Sequence, residues 1–388
     1  MKIKRVKITN EKIIDSLDVS FLDKNGEILD TIIIVGANGS GKSTLLKKIF
    51  DTFTTESILK NSEIVCSINE KEKEFVEEKL GYRVENNEVV ISGQEEIKMK
   101  INGKLDTREY PKIIYMPSEL IFNKMNADSR DYSYKYSFSN IINQEMIKDI
   151  PSFIATKIND EVYKNDELPA KQVIEKVCNE INSIFSEIEV DAKITGLKKE
   201  GEKLPIFKNS FGAEFDINSL SSGEKQLFAR VMSLKLIQAN NSIILIDEPE
   251  ISLHPQWQQR IIKVYQSVGK NNQIIVATHS PHIISSVDKE CIKILYKKEN
   301  KEIEEEMSSA YGYNVERVLT EIMGIKRVRT KEVEEEIIEL KKMVENGSYE
   351  SIDFQRRYLK LLSILGGLDQ EIILLNMGIA EKKGEKNA

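Results

Sequence analysis

The 388-residue sequence contains little of what disulfide-rich or membrane-spanning proteins are made of. Its three cysteines, Cys66, Cys178 and Cys291, lie far apart, so we expect neither a Cys-x-x-Cys metal pair nor a disulfide framework. The longest apolar runs are about five to seven residues, against the ~20 that a membrane helix needs. The first residues lack the apolar segment of a signal peptide. A cytoplasmic protein with reduced thiols and no membrane partner is expected.

An excess of positive charge is also missing. The net charge is −7, so the protein has no overall basic field that would attract nucleic acid. Two basic clusters, residues 2–7 and 326–331, are more typical of solvated strand and helix faces. Direct binding of DNA stays possible through such a local patch, but composition does not favour it.

Short apolar runs alternate with amphipathic segments along most of the chain, which predicts an α/β fold with a mainly parallel sheet and helices on its faces. The predicted strands are Lys2–Ile8, Ile13–Phe21, Thr31–Val35, Val89–Gly93, Ile97–Ile101, Ile113–Met116, Ile188–Ile194, Glu214–Ile217, Ser242–Ile246 and Gln273–Ala277. Helices are predicted within 118–186, from Ser222 onward, and at Lys331–Val344, Arg357–Leu365 and Glu371–Met377.

These patterns divide the chain into five parts. Residues 1–117 form the first half of a nucleotide-binding domain, with an N-terminal antiparallel β region, and residues 118–186 form a helical insertion. Residues 187–290 form the second half of that domain. Residues 291–380 are predicted to be a helical region, and residues 381–388 a frayed tail.

The segment Gly36-Ala37-Asn38-Gly39-Ser40-Gly41-Lys42-Ser43-Thr44 follows an apolar strand and precedes a helical pattern. Strand, glycine-rich loop and helix are the context of a phosphate-binding P-loop. Glycines let backbone N–H groups turn inward around an anion, and the helix start adds its dipole. Residues 38–44 are therefore predicted to bind the phosphates of ATP. Lys42 would reach the β- and γ-phosphates, and the Ser43 hydroxyl would ligate Mg²⁺.

Two carboxylates follow the buried strand that ends at Ile246. Asp247 and Glu248 would lie at the carboxyl edge of the sheet, where ligands bind in open α/β folds. Asp247 is predicted to hold Mg²⁺ through water, because this ion usually keeps several of its water ligands. Glu248 is predicted to orient or deprotonate the attacking water.

The segment Leu220-Ser221-Ser222-Gly223-Glu224 opens the next helix. Ser221 and Glu224 have the spacing of a capping box, which alone would explain both residues. A second pattern, Ala277-Thr278-His279-Ser280-Pro281, follows another buried strand and places His279 at the same sheet edge.

The order of P-loop, helix-opening Ser-Ser-Gly-Glu, Asp-Glu strand and histidine resembles the ATP-binding-cassette superfamily over residues 1–290. The resemblance implies that Ser221, Ser222, Gly223 and Glu224 form the signature loop, which binds the γ-phosphate of ATP held by another subunit. It also implies that His279 is the switch histidine that contacts this phosphate and the water.

Three details resemble the soluble SMC, RecF and OLD group more than transporter cassettes. The first is the run Ile246 to Pro255, with Ser-Leu-His-Pro at its end, and the second is Ala277-Thr278-His279-Ser280-Pro281. The third is Ser222 with Glu224 in the signature. His254 would then lie on a loop that crosses the dimer interface, while His282 has no assigned role. No glutamine loop can be placed: Pro117-Ser118-Glu119 occupies its position, and Gln94 lies too early.

The insertion is too short for long coiled coils, and residues 283–388 contain no Asp-x-Asp of a Toprim nuclease. The segment Tyr311–Gly324 and the helical tail are similar to the ATPases of Septu-type and retron-associated anti-phage systems, the PtuA family. This resemblance implies an ATP- and Mg²⁺-dependent homodimer or larger homo-oligomer that regulates a separate HNH-type nuclease. The alternatives are a RecF- or SMC-like ATPase that clamps DNA directly, and a scaffold that binds ATP without hydrolysing it.

Overall fold

The computed structural model describes residues 1–9, 14, 16–54, 62–92, 110–125, 137–165, 167–295, 303–304, 312–325 and 328–386. These residues fall into two compact units, one ending at Val318 and the other beginning at Leu319. The predicted strand Ile97–Ile101, the residue Gln94 and Tyr311 lie outside the described residues.

Strands β1 to β14 occupy Lys2–Thr9, Ser16–Ser20, Thr31–Gly36, Ser62–Ser67, Glu88–Ser92, Ile113–Met116, Ser139–Ile141, Lys193–Leu197, Pro205–Lys208, Glu214–Asp216, Ile243–Asp247, Gln273–Ala277, Ile292–Leu295 and Ile303–Glu304. Helices α1 to α12 occupy Lys42–Thr52, Glu70–Glu74, Gln144–Lys164, Ala170–Ser183, Ser222–Ile237, Pro255–Gln258, Ile261–Ser267, Pro281–Ile284, Val315–Arg317, Lys331–Glu345, Ile352–Leu365 and Gln370–Lys386.

A central sheet forms the framework of the first unit. Within the described residues its strand order is β14-β13-β3-β12-β11-β6-β7, and every pair is parallel except β13 with β14. All residues of β3, β11 and β12 are buried, which fits their continuous Ile, Leu and Val content. The parallel order places the ends of β3, β11 and β12 at one edge. The predicted fold class, a parallel sheet with an antiparallel β region and helical parts, is confirmed.

The antiparallel region is a sheet with the order β2-β1-β4-β5. Helix α1 packs against β4 of this sheet and against β3, β6, β11 and β12 of the central sheet, so it lies between the two. The Gln273 side chain joins the sheets directly. Its Oε1 accepts from the Ile3 N–H at 2.6 Å, and its Nε2 donates to the carbonyls of Ile3 and Leu29, both at 2.9 Å.

Helices α3 and α4 pack together, and α3 also packs on α5, while α4 covers the small sheet β10-β9-β8. Helix α5 is buried almost all round. The predicted strand Ile188–Ile194 is wrong in its first part, because residues 184–189 form turns after α4 and β8 begins at Lys193. The Asn182 amide fixes this start by pairing with both backbone groups of Ile194 at 2.9 Å.

Residues 291–380 are predicted to be a helical region, but Ile292–Leu295 at its start are not helical. These residues form β13, a buried parallel neighbour of β3. The short strand β7 within the predicted helical insertion is a second difference. The division into five parts otherwise stays a prediction.

The second unit contains α10, α11 and α12 around a small core that includes Leu340, Phe354, Leu361 and Ile372. Helix α11 begins five residues earlier than predicted, and α12 continues to Lys386. The first six residues of the tail that we predicted to be frayed are therefore helical. Among the helices that the structure describes, none has the length and apolar composition of a bilayer-crossing segment.

Candidate functional site

The loop between β3 and α1 has the backbone that a phosphate cradle requires. Gly39 and Gly41 have φ angles of 73° and 100°, which non-glycine residues rarely adopt. A Cβ on Gly36 would lie 2.5 Å from the Leu295 carbonyl oxygen and 2.6 Å from Ser40 Oγ. Glycine is therefore needed at position 36 for close packing and at 39 and 41 for conformation. Asn38 and Gly39 are exposed at the tip of the loop.

The start of α1 is open to an anion. Among the described residues, no side chain caps this helix, and its N-cap is Gly41. The first N–H groups of a helix have no partner within the helix, so they are available to phosphate oxygens. Ser40 is buried, and its Oγ has no hydrogen-bond partner in the described part of the chain. Thr44 lies half-buried in the first turn. These features fit the phosphate groups that the sequence predicts here.

The Lys42 ammonium lies beneath the loop and is enclosed. Its Nζ donates to the carbonyl oxygens of Gly36 at 2.8 Å and Ala37 at 3.2 Å, and it lies 3.5 Å from His279 Nδ1. Burial lowers the pKa of Lys42, and the nearby Glu248, Asp247 and Glu250 carboxylates oppose that shift.

Ser43 and Asp247 form the predicted metal pair. Ser43 Oγ donates to Asp247 Oδ1 at 3.0 Å, and this bond connects α1 to the end of β11. Burial raises the pKa of Asp247. A hydroxyl beside a carboxylate at a phosphate loop suits Mg²⁺, which prefers oxygen ligands and usually takes few of them from the protein. The residues present therefore fit the ion.

Glu248 and His279 face each other across the ends of β11 and β12. His279 Nε2 lies 3.6 Å from Glu248 Oε1. The Glu248 backbone has a φ of 44°, an unusual value for a side chain of this size, and its N–H donates to the Ala277 carbonyl at 2.9 Å. The strand thus ends in a sharp turn immediately after Asp247.

The protonation of His279 follows from its neighbours. The Lys42 ammonium can only donate, so Nδ1 must accept and the proton of the neutral ring is on Nε2, directed toward Glu248. Burial, and then the positive charge of Lys42, lower the pKa of His279. The ring is therefore neutral at pH 7.

The predicted signature residues lie at the start of α5. Ser221 and Glu224 form a capping box, in which Glu224 Oε2 accepts from the Ser221 N–H at 2.9 Å and from its Oγ at 2.7 Å. Ser221 and Ser222 are exposed. Within the described residues, no hydrogen bond links them to the P-loop of the same chain. The structure thus brings together Lys42 and the acidic residues with His279, but not the signature.

Gly223 connects the signature to the segment that follows Glu248. A Cβ at this position would lie 2.6 Å from the Ser252 carbonyl oxygen and 3.6 Å from Trp257 Cζ3. Ser252 has a φ of 65°, and His254 beside it is exposed. The signature and residues 252–257 therefore form one continuous surface.

Three residues of the site were not found from the sequence. The Tyr115 phenol lies beside Asp247, and burial together with that carboxylate raises its pKa to about 12. Arg230 is fully buried, and its Nη2 donates to the carbonyls of Pro117 at 2.9 Å and Ser118 at 2.7 Å. It therefore fixes the loop where the glutamine loop was sought.

The third residue is Glu250. Its Oε1 accepts from Thr278 Oγ1 and from the His279 N–H, both at 2.7 Å. Only the acidic context of Asp247-Glu248-Pro249-Glu250 could have suggested a role for it from sequence.

Two curated proteins with similar sequences show what the chain resembles. The probable ATPase of retron Vc95 from Vibrio cholerae serotype O1 biovar El Tor is 32% identical over 188 residues, which cover 44% of this chain and 35% of that protein. The Septu protein PtuA of Bacillus mycoides (strain KBAB4) is 23% identical over 337 residues, 82% of this chain and 44% of PtuA. The chain thus spans less than half the length of these curated relatives.

Among solved structures, the SMC head domain from Thermotoga maritima matches with a TM-score of 0.42 and 14% identity, over 79% of this chain and 100% of that one. The predicted kinship with ATPases of retron and Septu systems is confirmed by the two relatives.

A family model described as an AAA domain, putative AbiEii toxin of type IV toxin–antitoxin systems, matches residues 32–285. That range begins at the strand before the P-loop and ends just after His279, so it includes every residue of the site described above. The chain therefore belongs to this AAA-domain family.

Proposed function

We propose that the protein hydrolyses ATP in pockets formed between two copies arranged head to tail. The observation that carries this proposal is the meeting of Lys42, Ser43, Asp247, Glu248 and His279 at one sheet edge. Polar atoms lie 3.0 to 3.6 Å apart in each of three pairs, Ser43–Asp247, Lys42–His279 and His279–Glu248. This set contains a phosphate-binding cation, a metal pair and a candidate general base.

Each group has a distinct task in the proposed reaction. The N–H groups at the start of α1 and the Lys42 ammonium bind the phosphates, and Lys42 exchanges its contacts with the loop carbonyls for phosphate oxygens. Mg²⁺, held by Ser43 and Asp247, would neutralise phosphate charge. Glu248 orients the attacking water and accepts its proton. The neutral His279 would direct its Nε2–H toward Glu248 and the phosphate region.

The second half of the pocket would come from the other copy. The exposed start of α5 carries N–H groups and the Ser222 hydroxyl, which suit a γ-phosphate, and the Ser221 hydroxyl would join them by exchanging its bond to Glu224 for the phosphate. Ser252 and His254 adjoin this surface and would contact the partner as well. ATP would then hold two copies together because both bind its γ-phosphate, and hydrolysis would release them.

The biological role that we propose is control of a separate HNH-type nuclease in anti-phage defence. The names of the relatives support this role, since two are named probable ATPases of retrons and two are named Septu protein PtuA. An endonuclease, GajA of Bacillus cereus (strain VD045), is 23% identical over 215 residues, 53% of this chain and 35% of GajA. Finding an HNH nuclease gene beside this one, and co-purification of the two products, would test the partner.

The Glu248→Gln variant tests the ATPase assignment. Glutamine keeps the shape of the side chain but cannot accept a proton, so the variant should bind ATP, fail to hydrolyse it and accumulate as a dimer of two 44.4 kDa chains in light scattering. A Lys42→Ala, Glu248→Gln double variant is the matched control and should stay monomeric. A variant that remains monomeric with ATP and hydrolyses it normally would contradict the proposal. Salt-dependent binding of DNA by the isolated chain would instead favour the alternative function, an ATPase of RecF or SMC type that clamps DNA directly.

A further inference from the structure

Glu250 is a carboxylate for which the proposed chemistry has no task. It follows Glu248 by two residues, and burial raises its pKa. Its Oε1 accepts two hydrogen bonds of 2.7 Å, and Oε2 is enclosed without a hydrogen-bond partner among the described residues. A carboxylate bound and enclosed in this way does not face solvent, so it is poorly placed to activate water itself.

Both donors to Glu250 belong to the segment that carries the His279 ring. One is the Thr278 hydroxyl, and the other is the backbone N–H of His279. Thr278 is buried, and its Oγ1 also accepts from the Ser280 N–H at 2.9 Å. Glu250 therefore holds both the Thr278 side chain and the N–H of the peptide bond that leads into His279.

The same segment is fixed from a second direction. Ser280 Oγ donates to Gln258 Oε1 at 2.6 Å, and Gln258 Nε2 donates to the Leu253 carbonyl at 2.9 Å. Hydrogen bonds thus run in a closed circuit from Glu250 through Thr278, Ser280 and Gln258 back to the loop that begins at Glu250. That loop includes Ser252, which packs against Gly223 of the signature.

We propose that Glu250 is a positioning residue that holds His279 between Lys42 and Glu248. The ring lies 3.5 Å from the Lys42 Nζ and 3.6 Å from the Glu248 carboxylate, so a small backbone shift would break both contacts. The circuit also connects the loop of residues 250–254 directly to the histidine, so contact of that loop with a second copy would reach the ring by this route. This inference rests on the proposed ATPase function and assigns a further residue to it.

A double-mutant cycle between Glu250 and His279 tests the assignment. Glu250→Ala should lower kcat for ATP hydrolysis about tenfold or more and change KM less than about threefold, because Lys42 and the P-loop still bind nucleotide. His279→Ala should lower kcat as well. If Glu250 acts only through His279, the double variant should be no slower than His279→Ala, within about twofold.

A conservative variant separates positioning from charge. Glu250→Gln keeps one carbonyl oxygen for Thr278 and the His279 N–H, so its kcat should lie within about threefold of the wild type. Glu175→Ala, at an exposed position on α4, is the matched control for removing a carboxylate and should leave kcat unchanged. If Glu250→Ala does not fold, Thr278→Val removes one of the two donors at similar volume and enters the same cycle with His279→Ala.

The outcomes distinguish this inference from the function on which it rests. If Glu250→Ala lowers the kcat of the His279→Ala variant by the same factor by which it lowers the kcat of the wild type, the positioning role alone is overturned. So would a Glu250→Gln variant as slow as Glu250→Ala. A wild-type protein without ATPase activity would overturn the proposed function, and a His279→Ala variant as fast as the wild type would overturn the role of the histidine and of Glu250 together.

Discussion

Replacing Gly223 with alanine tests whether the start of α5 and the loop at Ser252 are in direct contact. Gly223 lies in the first turn of α5 without a positive φ angle, so backbone conformation alone would permit alanine. Helix propensity would even favour it, by up to about 1 kcal/mol. The structure predicts the opposite sign, because the new Cβ would lie 2.6 Å from the Ser252 carbonyl oxygen.

The magnitude follows from that distance. Real Cβ atoms essentially never approach other heavy atoms below 3.0 Å, so either α5 or the Ser252 backbone must move. Overpacking of this kind costs about 1–3 kcal/mol, and the propensity term offsets about 1 kcal/mol of it. We therefore expect a net loss of up to about 2 kcal/mol of stability, concentrated at this contact.

The chain carries its own reporter for the measurement. Its single tryptophan, Trp257, lies 3.6 Å from the position of the new Cβ, so its fluorescence should shift in Gly223→Ala and its unfolding midpoint should fall. Gly384→Ala is the matched control, since Gly384 lies in α12 with open space around its Cβ position and should gain stability slightly. A Gly223→Ala protein that is more stable than the wild type, with an unchanged tryptophan spectrum, would refute the contact.

Three further changes test the interior of the site. Arg230→Met removes a buried charged donor from two loop carbonyls and should lower the free energy of unfolding by about 2 kcal/mol or more in urea titrations; an unchanged midpoint would contradict that role. The pKa of His279 should lie below the ordinary histidine value of 6.5, because burial and Lys42 disfavour its charged form. The free energy of unfolding should therefore fall as the pH drops below 6.5. A pKa at or above 6.5 in a nitrogen NMR titration would be inconsistent with the burial of the ring. Tyr115→Phe removes the hydroxyl beside Asp247 and should raise the Mg²⁺ concentration needed for half-maximal ATP hydrolysis about threefold, whereas an identical Mg²⁺ titration would show that the phenol has no part in metal binding.

The elements around the phosphate site could be predicted because their sequences are locally unambiguous. Strands β3, β11 and β12 are continuous apolar runs, and the residues that follow them carry the chemistry. Strand β13 could not be predicted in the same way. It has only four residues, includes the buried Lys293, and exists because β3, more than 250 positions earlier, offers an edge to pair with.

Apparent alternation also misled the prediction near α4. Ile188, Val190, Ala192 and Ile194 alternate with polar residues like a strand, yet the chain must first turn away from α4. Asn182, twelve residues from Ile194, sets where β8 begins, and periodicity contains no information about such a contact.

The residues missed at the site have the same cause. Arg230 acts on carbonyls more than 110 positions away, and Glu250 acts on a segment 28 to 29 positions later. Neither residue type is unusual at its position in sequence, and both acquire a role only when the sheet brings distant loops together. The roles predicted for the signature residues concern a second copy, so they stay predictions.

The Gln273 amide has a mechanical consequence for nucleotide binding. Its hydrogen bonds tie β1 of the N-terminal sheet to β12 of the central sheet. The two sheets, which lie on either side of the helix that follows the P-loop, therefore resist sliding over one another when ATP binds. If ATP is bound as proposed, the movements that accompany its hydrolysis would then occur in the helices and loops at the rim of the sheet rather than between the two sheets.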